Sequence, residues 1–268
     1  MKRIFLWVGF FALLPFAAAQ RLPELAVPEN YKLSFAPDFQ KDNFEGEETI
    51  SVRVLKTTSE IVLNSAEIEF HEATITSAGT TQRAKVTLDN KREVATLAFA
   101  QPIEPGAAQV HIKYSGILND ELRGLYLGRD RDGSKYAVTQ FEATDARRAF
   151  PSFDEPSYKA TFDVSVVADN GMVAISNGKV FSDTPGPGTA KHTVTFATTA
   201  KIEVARIGSD PIANSTGTDN PAPNIAAAPN STKNPAAPRS TLFRNTPRSL
   251  TGATWPLASR ASSLLAPK

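Results

Sequence analysis

The chain has no cysteine, two methionines, two tryptophans and three histidines in 268 residues. Without cysteine there is no disulfide framework, no thiolate nucleophile and no cysteine-bearing zinc site. With only His71, His111 and His192 available, a protein metal site would need carboxylates or most of the histidines together. An excess of charge of one sign is missing too. Lys and Arg number 29 against 28 Asp and Glu, which argues against a general nucleic-acid binder. No apolar run reaches the roughly 20 residues that span a bilayer, so no stable membrane anchor is expected. No stretch sustains a 3.6-residue apolar stripe either, so a helical domain is not expected.

The near-neutral total conceals segments that differ in kind. Residues 20–208 carry a net charge of −5 and residues 209–268 a net +4. The second segment holds nine prolines among Ala, Ser, Thr and Asn. Ordering a backbone costs roughly 1–2 kcal/mol per residue, and such a composition has little apolar surface to offset it. A low-complexity, disordered tail is the expectation for residues 209–268. At the other end, Met1-Lys2-Arg3 precedes an apolar run from Ile4 to Leu14, and Ala17-Ala18-Ala19 precedes Gln20. A basic start, a short apolar stretch and small residues before a cleavage point predict a secretory signal peptide over residues 1–19. The mature chain is then expected to be exported, to a periplasm or the extracellular space. Lacking disulfides, it would depend on its core for stability.

Between these ends the sequence reads as many short strands. Tyr31–Phe35, Thr49–Val54, Lys85–Leu88, Val110–Tyr114, Thr161–Val166 and His192–Phe196 all alternate apolar and polar residues. Turn signals punctuate them at Ala36-Pro37-Asp38, Pro105-Gly106, Asp130–Gly133, Asp169-Asn170-Gly171 and Pro185–Gly188. The pattern predicts an all-β domain over residues 20–208, built from several antiparallel sheets.

The most informative stretch runs from Thr139 to Phe162 and contains Gln140-Phe141-Glu142-Ala143-Thr144-Asp145-Ala146-Arg147-Arg148 and Phe150-Pro151-Ser152-Phe153-Asp154-Glu155-Pro156. It closely resembles the N-terminal domain of the aminopeptidase N and puromycin-sensitive aminopeptidase family of zinc exopeptidases. Pro28–Leu33, Phe44-Glu45-Gly46, Tyr114–Asp120 and Gly124-Leu125-Tyr126 support the likeness, which covers about residues 24–202. The resemblance implies a saddle-like β domain packed against a thermolysin-like catalytic domain. It also implies that Gln140 and Glu142 reach into the neighbouring active site and hold the free α-amino group of the substrate. The chemistry is sound, because a desolvated carboxylate beside an amide recognises a terminal ammonium by charge-assisted hydrogen bonds. The expected partners are therefore peptide N-termini and the catalytic domain.

The remaining charged residues of this stretch, Asp145, Arg147, Arg148, Asp154 and Glu155, are expected to hold a loop between sheets by ion pairs. Pro151 and Pro156 would fix its backbone. Ser152 lacks a neighbouring base and is expected to pack rather than react.

Peptide hydrolysis in the resembled family rests on H-E-x-x-H, which puts two histidines and a water-activating Glu on one helical face. That motif does not occur here. His71-Glu72-Ala73-Thr74-Ile75 approaches it, but lacks the second histidine and lies in a β-rich stretch. No catalytic or metal-ligating residue is assigned, and no cofactor is expected in this chain, although zinc is expected in full-length family members. Resemblance and strand pattern both fail after Ile202, as a truncated or frameshifted reading frame would produce. The functional expectation is the N-terminal part of an exported zinc aminopeptidase, able to shape a substrate site but not to hydrolyse peptides alone. The alternative is a non-catalytic secreted β-rich module that binds protein or peptide.

Overall fold

A computed structural model describes residues 21–207 and 226–229. The expected signal peptide, and all of the expected tail except Ala226–Pro229, lie outside the described residues. The described residues fall in one compact unit within residues 1–230, and the other unit, residues 231–268, lies outside them. The elements in chain order are β1 (Ala26–Asp38), β2 (Asn43–Val54), β3 (Thr58–Asn64), β4 (Ile68–Ser77), β5 (Thr80–Arg83), β6 (Lys85–Asp89), β7 (Val94–Ile103) and β8 (Gly106–Ile117). They continue with β9 (Gly124–Arg129), β10 (Lys135–Gln140), β11 (Lys159–Asp169), β12 (Met172–Ile175), β13 (Val180–Pro185), β14 (Lys191–Phe196), β15 (Ile202–Glu203) and β16 (Ala226–Pro229). Short 3-10 turns at Ala146–Arg148 and Val204–Arg206 are the helical elements among the described residues. No helix there is long and apolar enough to cross a membrane.

The domain is all-β and multi-sheet, as the alternation predicts. The large sheet runs β13-β14-β11-β1-β2-β8-β4-β5, with β15 on β11. Two smaller sheets run β12-β16-β10-β9 and β3-β7-β6. Pairing between the named strands is antiparallel with one exception, the parallel ladder between β1 and β11 from Asn30↔Thr161 to Phe35↔Val166. A parallel neighbour needs a long crossover, and here β2 to β10 lie within it. Ala36-Pro37-Asp38 reads as a turn in the sequence but forms the end of β1, with Pro37 opposite Phe44. The β11 ladder stops at Phe35, so Pro37 stands where β1 has one neighbour and a missing N–H is tolerated.

The inward row of β2 is Phe44, Gly46, Glu48, Ile50, Val52 and Val54, all buried. Across the ladder Phe44 faces Gly116 and Gly46 faces Tyr114. A Cβ on Gly46 would lie 2.2 Å from the Tyr114 ring, and one on Gly116 would lie 2.4 Å from the Phe44 ring. Each aromatic therefore covers the glycine of the other strand, and the two rings meet edge to face at 6.4 Å. This reciprocal fit gives the Phe-x-Gly and Tyr-x-Gly segments their physical meaning.

Glu48 occupies the same inward row, opposite Leu33 and Ile112. Neither of its carboxyl oxygens, nor the Tyr114 hydroxyl, meets a hydrogen-bond partner among the described residues. Burial alone pushes the Glu48 carboxyl well above the usual carboxylate range. Burial also raises Tyr31 and Tyr114, and the proximity of Glu48 adds to both.

The segment between β10 and β11 joins all three sheets. Phe150 packs against Tyr31 and Phe35 of β1 at ring separations of 6.0 and 6.1 Å, and against Phe141 at 5.9 Å. Ser152 and Asn64 of β3 exchange backbone hydrogen bonds of 2.8 and 3.0 Å, and the Asp154 amide donates to the Asn64 side-chain oxygen. The Phe153 amide donates to the Tyr31 hydroxyl at 3.0 Å. Ser152 is fully buried and its hydroxyl has no partner among the described residues, in keeping with a packing role.

The charge run of this segment is an ion-pair hub. Arg148 contacts Asp145 at 2.9 Å, Glu67 at 2.6 Å and Glu93 at 2.7 Å, while Arg147 contacts Asp154 at 2.9 Å and Glu93 at 3.3 Å. Both guanidinium side chains are nearly buried, so their carboxylates are partners they cannot exchange for water. Glu155 instead accepts a hydrogen bond from the Leu22 amide.

Two outcomes are expected. An acid whose folded pKa is raised contributes stability below its unfolded value, about 4.3, and loses it as pH rises toward the folded value. Glu48→Gln should therefore gain on the wild type by about 1.4 kcal/mol for each pH unit above about pH 5, until the buried carboxyl ionises. Urea unfolding at pH 5, 6 and 7 measures this, and parallel stabilities would contradict a neutral buried Glu48. Arg148→Ala leaves Asp145 without its arginine and removes one of two cationic partners from Glu67 and from Glu93, and should lower stability by about 3 kcal/mol, or roughly 6–12 °C in Tm for a domain of this size. An unchanged melting temperature would show that the hub is dispensable.

Candidate functional site

Gln140 is the last residue of β10 and Glu142 stands two residues further on, in the turn that opens the three-sheet joint. Alternation sets their directions. Thr139 and Phe141 are buried, while Gln140 is half-buried and Glu142 exposed, so Phe141 is an anchor between two displayed polar groups. The Phe141 carbonyl accepts from the Asp145 amide at 2.9 Å, which closes the turn beneath Glu142. The Glu142–Ala143 peptide bond is cis. Neither the Gln140 nor the Glu142 side chain is engaged in a hydrogen bond or ion pair with another described residue. Both expected site residues are thus displayed by one strand end, with their polar atoms free for a ligand.

Gly124 of β9 pairs directly with Gln140. It adopts a φ of +66°, and a Cβ there would fall 2.7 Å from the Arg148 Cβ. Glycine at this position lets the ion-pair hub lie against β9 and so fixes the strand end that carries Gln140. Below the hub, Asp154 is almost wholly buried. Burial raises its carboxyl above the ordinary range, against the lowering effect of Arg147. On Arg148 burial works in the opposite direction, but Asp145, Glu67 and Glu93 together hold its pKa above the ordinary value. An open groove of about 660 Å³ borders the hub and is lined by Glu67, Glu93, Arg148 and Asn90 among others.

The other chemistry-bearing residues do not converge on this site. His71 lies at the bulge of β4, its Nε2 3.0 Å from Ser115 and 3.7 Å from Glu45. His111 on β8 meets Glu47 and Thr49, and His192 on β14 meets Asp183 at 2.7 Å. Each histidine has its own carboxylate on its own part of the large sheet. Among the described residues no group of three His, Cys, Asp or Glu side chains could hold a metal ion. The arrangement can recognise a cation or a hydrogen-bonding group at Gln140 and Glu142. It supplies no nucleophile–base pair there.

Gly124, Glu67 and Glu93 are the site residues that local reading does not assign. Glu67 and Glu93 come from turns far away in sequence, and nothing near them marks them as partners of Arg148. The glycine carries a signal only in hindsight, as the residue before Leu125-Tyr126 in a motif whose function is close approach.

Comparison with known proteins agrees with the fold. The family described as the Peptidase M1 N-terminal domain matches residues 27–203. The chain is 35% identical over 189 residues to the puromycin-sensitive aminopeptidase of Caenorhabditis elegans, covering 68% of this chain and 20% of that protein. It is 40% identical over 182 residues to aminopeptidase 2 of Candida albicans, covering 66% and 19% respectively. Against aminopeptidase N of Acetobacter pasteurianus it is 36% identical over 189 residues, covering 69% and 52%. The matched region thus spans between a fifth and about half the length of these curated relatives. With its β architecture and a match across most of the described domain, the chain belongs to the Peptidase M1 N-terminal domain family.

Proposed function

We propose that this chain provides the amino-terminus-recognition part of an exported zinc aminopeptidase. The observation that carries this reading is the strand end at Gln140 and Glu142, pinned from behind by Phe141 and the arginine hub while its own polar groups stay free. The Glu142 carboxylate accepts hydrogen bonds from a peptide ammonium, and the Gln140 amide oxygen accepts another. Charge-assisted bonds of this kind are worth about 1.5–3 kcal/mol each. Recognition of a terminal ammonium confines the reaction to the first residue of a peptide, which is the meaning of an aminopeptidase. The basic and apolar start of the sequence, with its Ala-Ala-Ala segment, supports export.

The described residues of this chain do not fit a zinc site, because the three histidines are dispersed and separately paired. The role assigned to the chain is therefore to bind and orient the peptide end, with hydrolysis belonging to residues outside those described. As a consequence, the purified chain should release no amino acid from aminoacyl anilides. Chelator-sensitive turnover would overturn that assignment.

Calorimetric titration with short peptides tests the recognition step. Peptides with a free amino end should bind at least tenfold more tightly than their N-acetylated forms, and Glu142→Gln should abolish the difference. Affinity for the free peptides should also fall as pH rises past about 8, where an α-ammonium loses its proton. Equal binding of acetylated and free peptides would remove the basis of this function.

A further inference from the structure

The sheet that carries Gln140 is completed by a strand from far along the chain. β16 stands between β10 and β12 and is antiparallel to both. Val138, Ala226 and Ile175 form one row across the sheet, and Ala137, Ala227 and Ala174 the next. Towards β12 the ladder continues through Val173↔Ala228 to Met172↔Pro229. Residues 208–225 separate this strand from Ile207, the last described residue of the main domain.

Three features make this position an acceptor. A central strand holds its neighbours two spacings apart, so β10 and β12 stand about 10 Å from one another and cannot pair directly. Their facing edges need a third backbone to satisfy their N–H and C=O groups, and any extended segment supplies one. The described part of the occupant pairs with Ala137 and Val138 of β10, and the rows of Thr139 and Gln140 lie beyond its N-terminal end. The direction is also specific. Because β16 is antiparallel to β10, its N-terminal end points along β10 toward Gln140.

We propose that the gap between β10 and β12 is a strand-acceptor site for extended peptides with a free amino terminus, and that Ala226–Pro229 is its exchangeable intramolecular occupant. In the register of β16, a peptide two residues longer at its N-terminal end has its first residue opposite Gln140. Its ammonium then lies at the strand end from which Glu142 projects. Placement of the ammonium rests on the function proposed above, whereas capture of the backbone does not. A tethered occupant competes at an effective concentration on the order of millimolar. The chain's own strand thus raises the threshold for peptide binding without closing the site permanently.

The test uses the full chain and a hexapeptide of five alanines and a C-terminal proline amide, titrated with its amino end free, acetylated, or free with an N-methyl group on the fourth residue. That residue takes the place opposite Ala137 and Ala174. A strand with neighbours on both sides uses every N–H, so the methyl group should weaken binding to the wild type at least tenfold. Ala227→Pro removes the same N–H from the internal occupant and should tighten binding of the unmethylated peptide at least tenfold. Equal binding of methylated and unmethylated peptide by the wild type would overturn the acceptor site, whether or not the variant folds. A folded Ala227→Pro chain that binds no more tightly than wild type would overturn the exchangeable occupant. Methyl-sensitive binding that is indifferent to acetylation would leave the acceptor site standing and refute ammonium recognition at Gln140 and Glu142.

Discussion

The structure depends on the burial of one ring. Phe150 touches Tyr31, Phe35 and Phe141, and through them it links the large sheet to the strand end that presents Gln140 and Glu142. The chain of contacts continues from Phe35 to Phe44 and from Phe44 to Tyr114, while Tyr31 stacks on Phe162 at 5.0 Å. Strands β1, β2, β8, β10 and β11 are therefore tied through a continuous aromatic core, and interiors packed to this density transmit small displacements rather than absorb them. A polar turn following β10 would otherwise have little to hold it. Here it inherits the rigidity of the largest sheet in the domain.

Around that core the ion pairs add position rather than much net stability. Arg147 and Arg148 are nearly buried, and the attraction of their carboxylates largely repays the loss of water. What the hub does provide is direction: Asp145, Glu67, Glu93 and Asp154 fix the two guanidinium groups from different sides, and Gly124 allows the hub to sit against β9. The result is a division of labour within one segment. The charged groups turned inward or sideways are partnered, and the polar groups displayed at the strand end are not. Recognition of a ligand needs that contrast, because a polar group already satisfied by the protein has little to offer.

Much of this was legible in the sequence, and the failures have physical causes. The expected strands at Tyr31–Phe35, Val110–Tyr114 and Thr161–Val166 lie inside β1, β8 and β11, because alternation on a half-buried sheet is a direct imprint of packing. The expected strand Thr49–Val54 covers only the second half of β2, and Glu47 and Glu48 lie in the part that it omits. Glu47 faces solvent and Glu48 the core, and a buried carboxyl cannot be anticipated from residue type. The expected ion pairing of Asp145, Arg147, Arg148 and Asp154 is present, but Glu67 and Glu93 join them from distant turns. The parallel ladder of β1 with β11, and the place of Ala226–Pro229 beside β10, were not legible at all. Both are pairings between distant segments, which local pattern does not encode.

That parallel ladder also sets a schedule for the nascent chain. Asn30 bonds to Thr161 across 131 residues of sequence. At a synthesis rate of about 5–20 residues per second, roughly 7–26 s pass between the emergence of one partner and the other. During that interval β1 can form its hairpin with β2, but its opposite edge has no native neighbour. The strand that begins the domain is thus among the last to be enclosed, and it waits with an open edge that another chain could occupy.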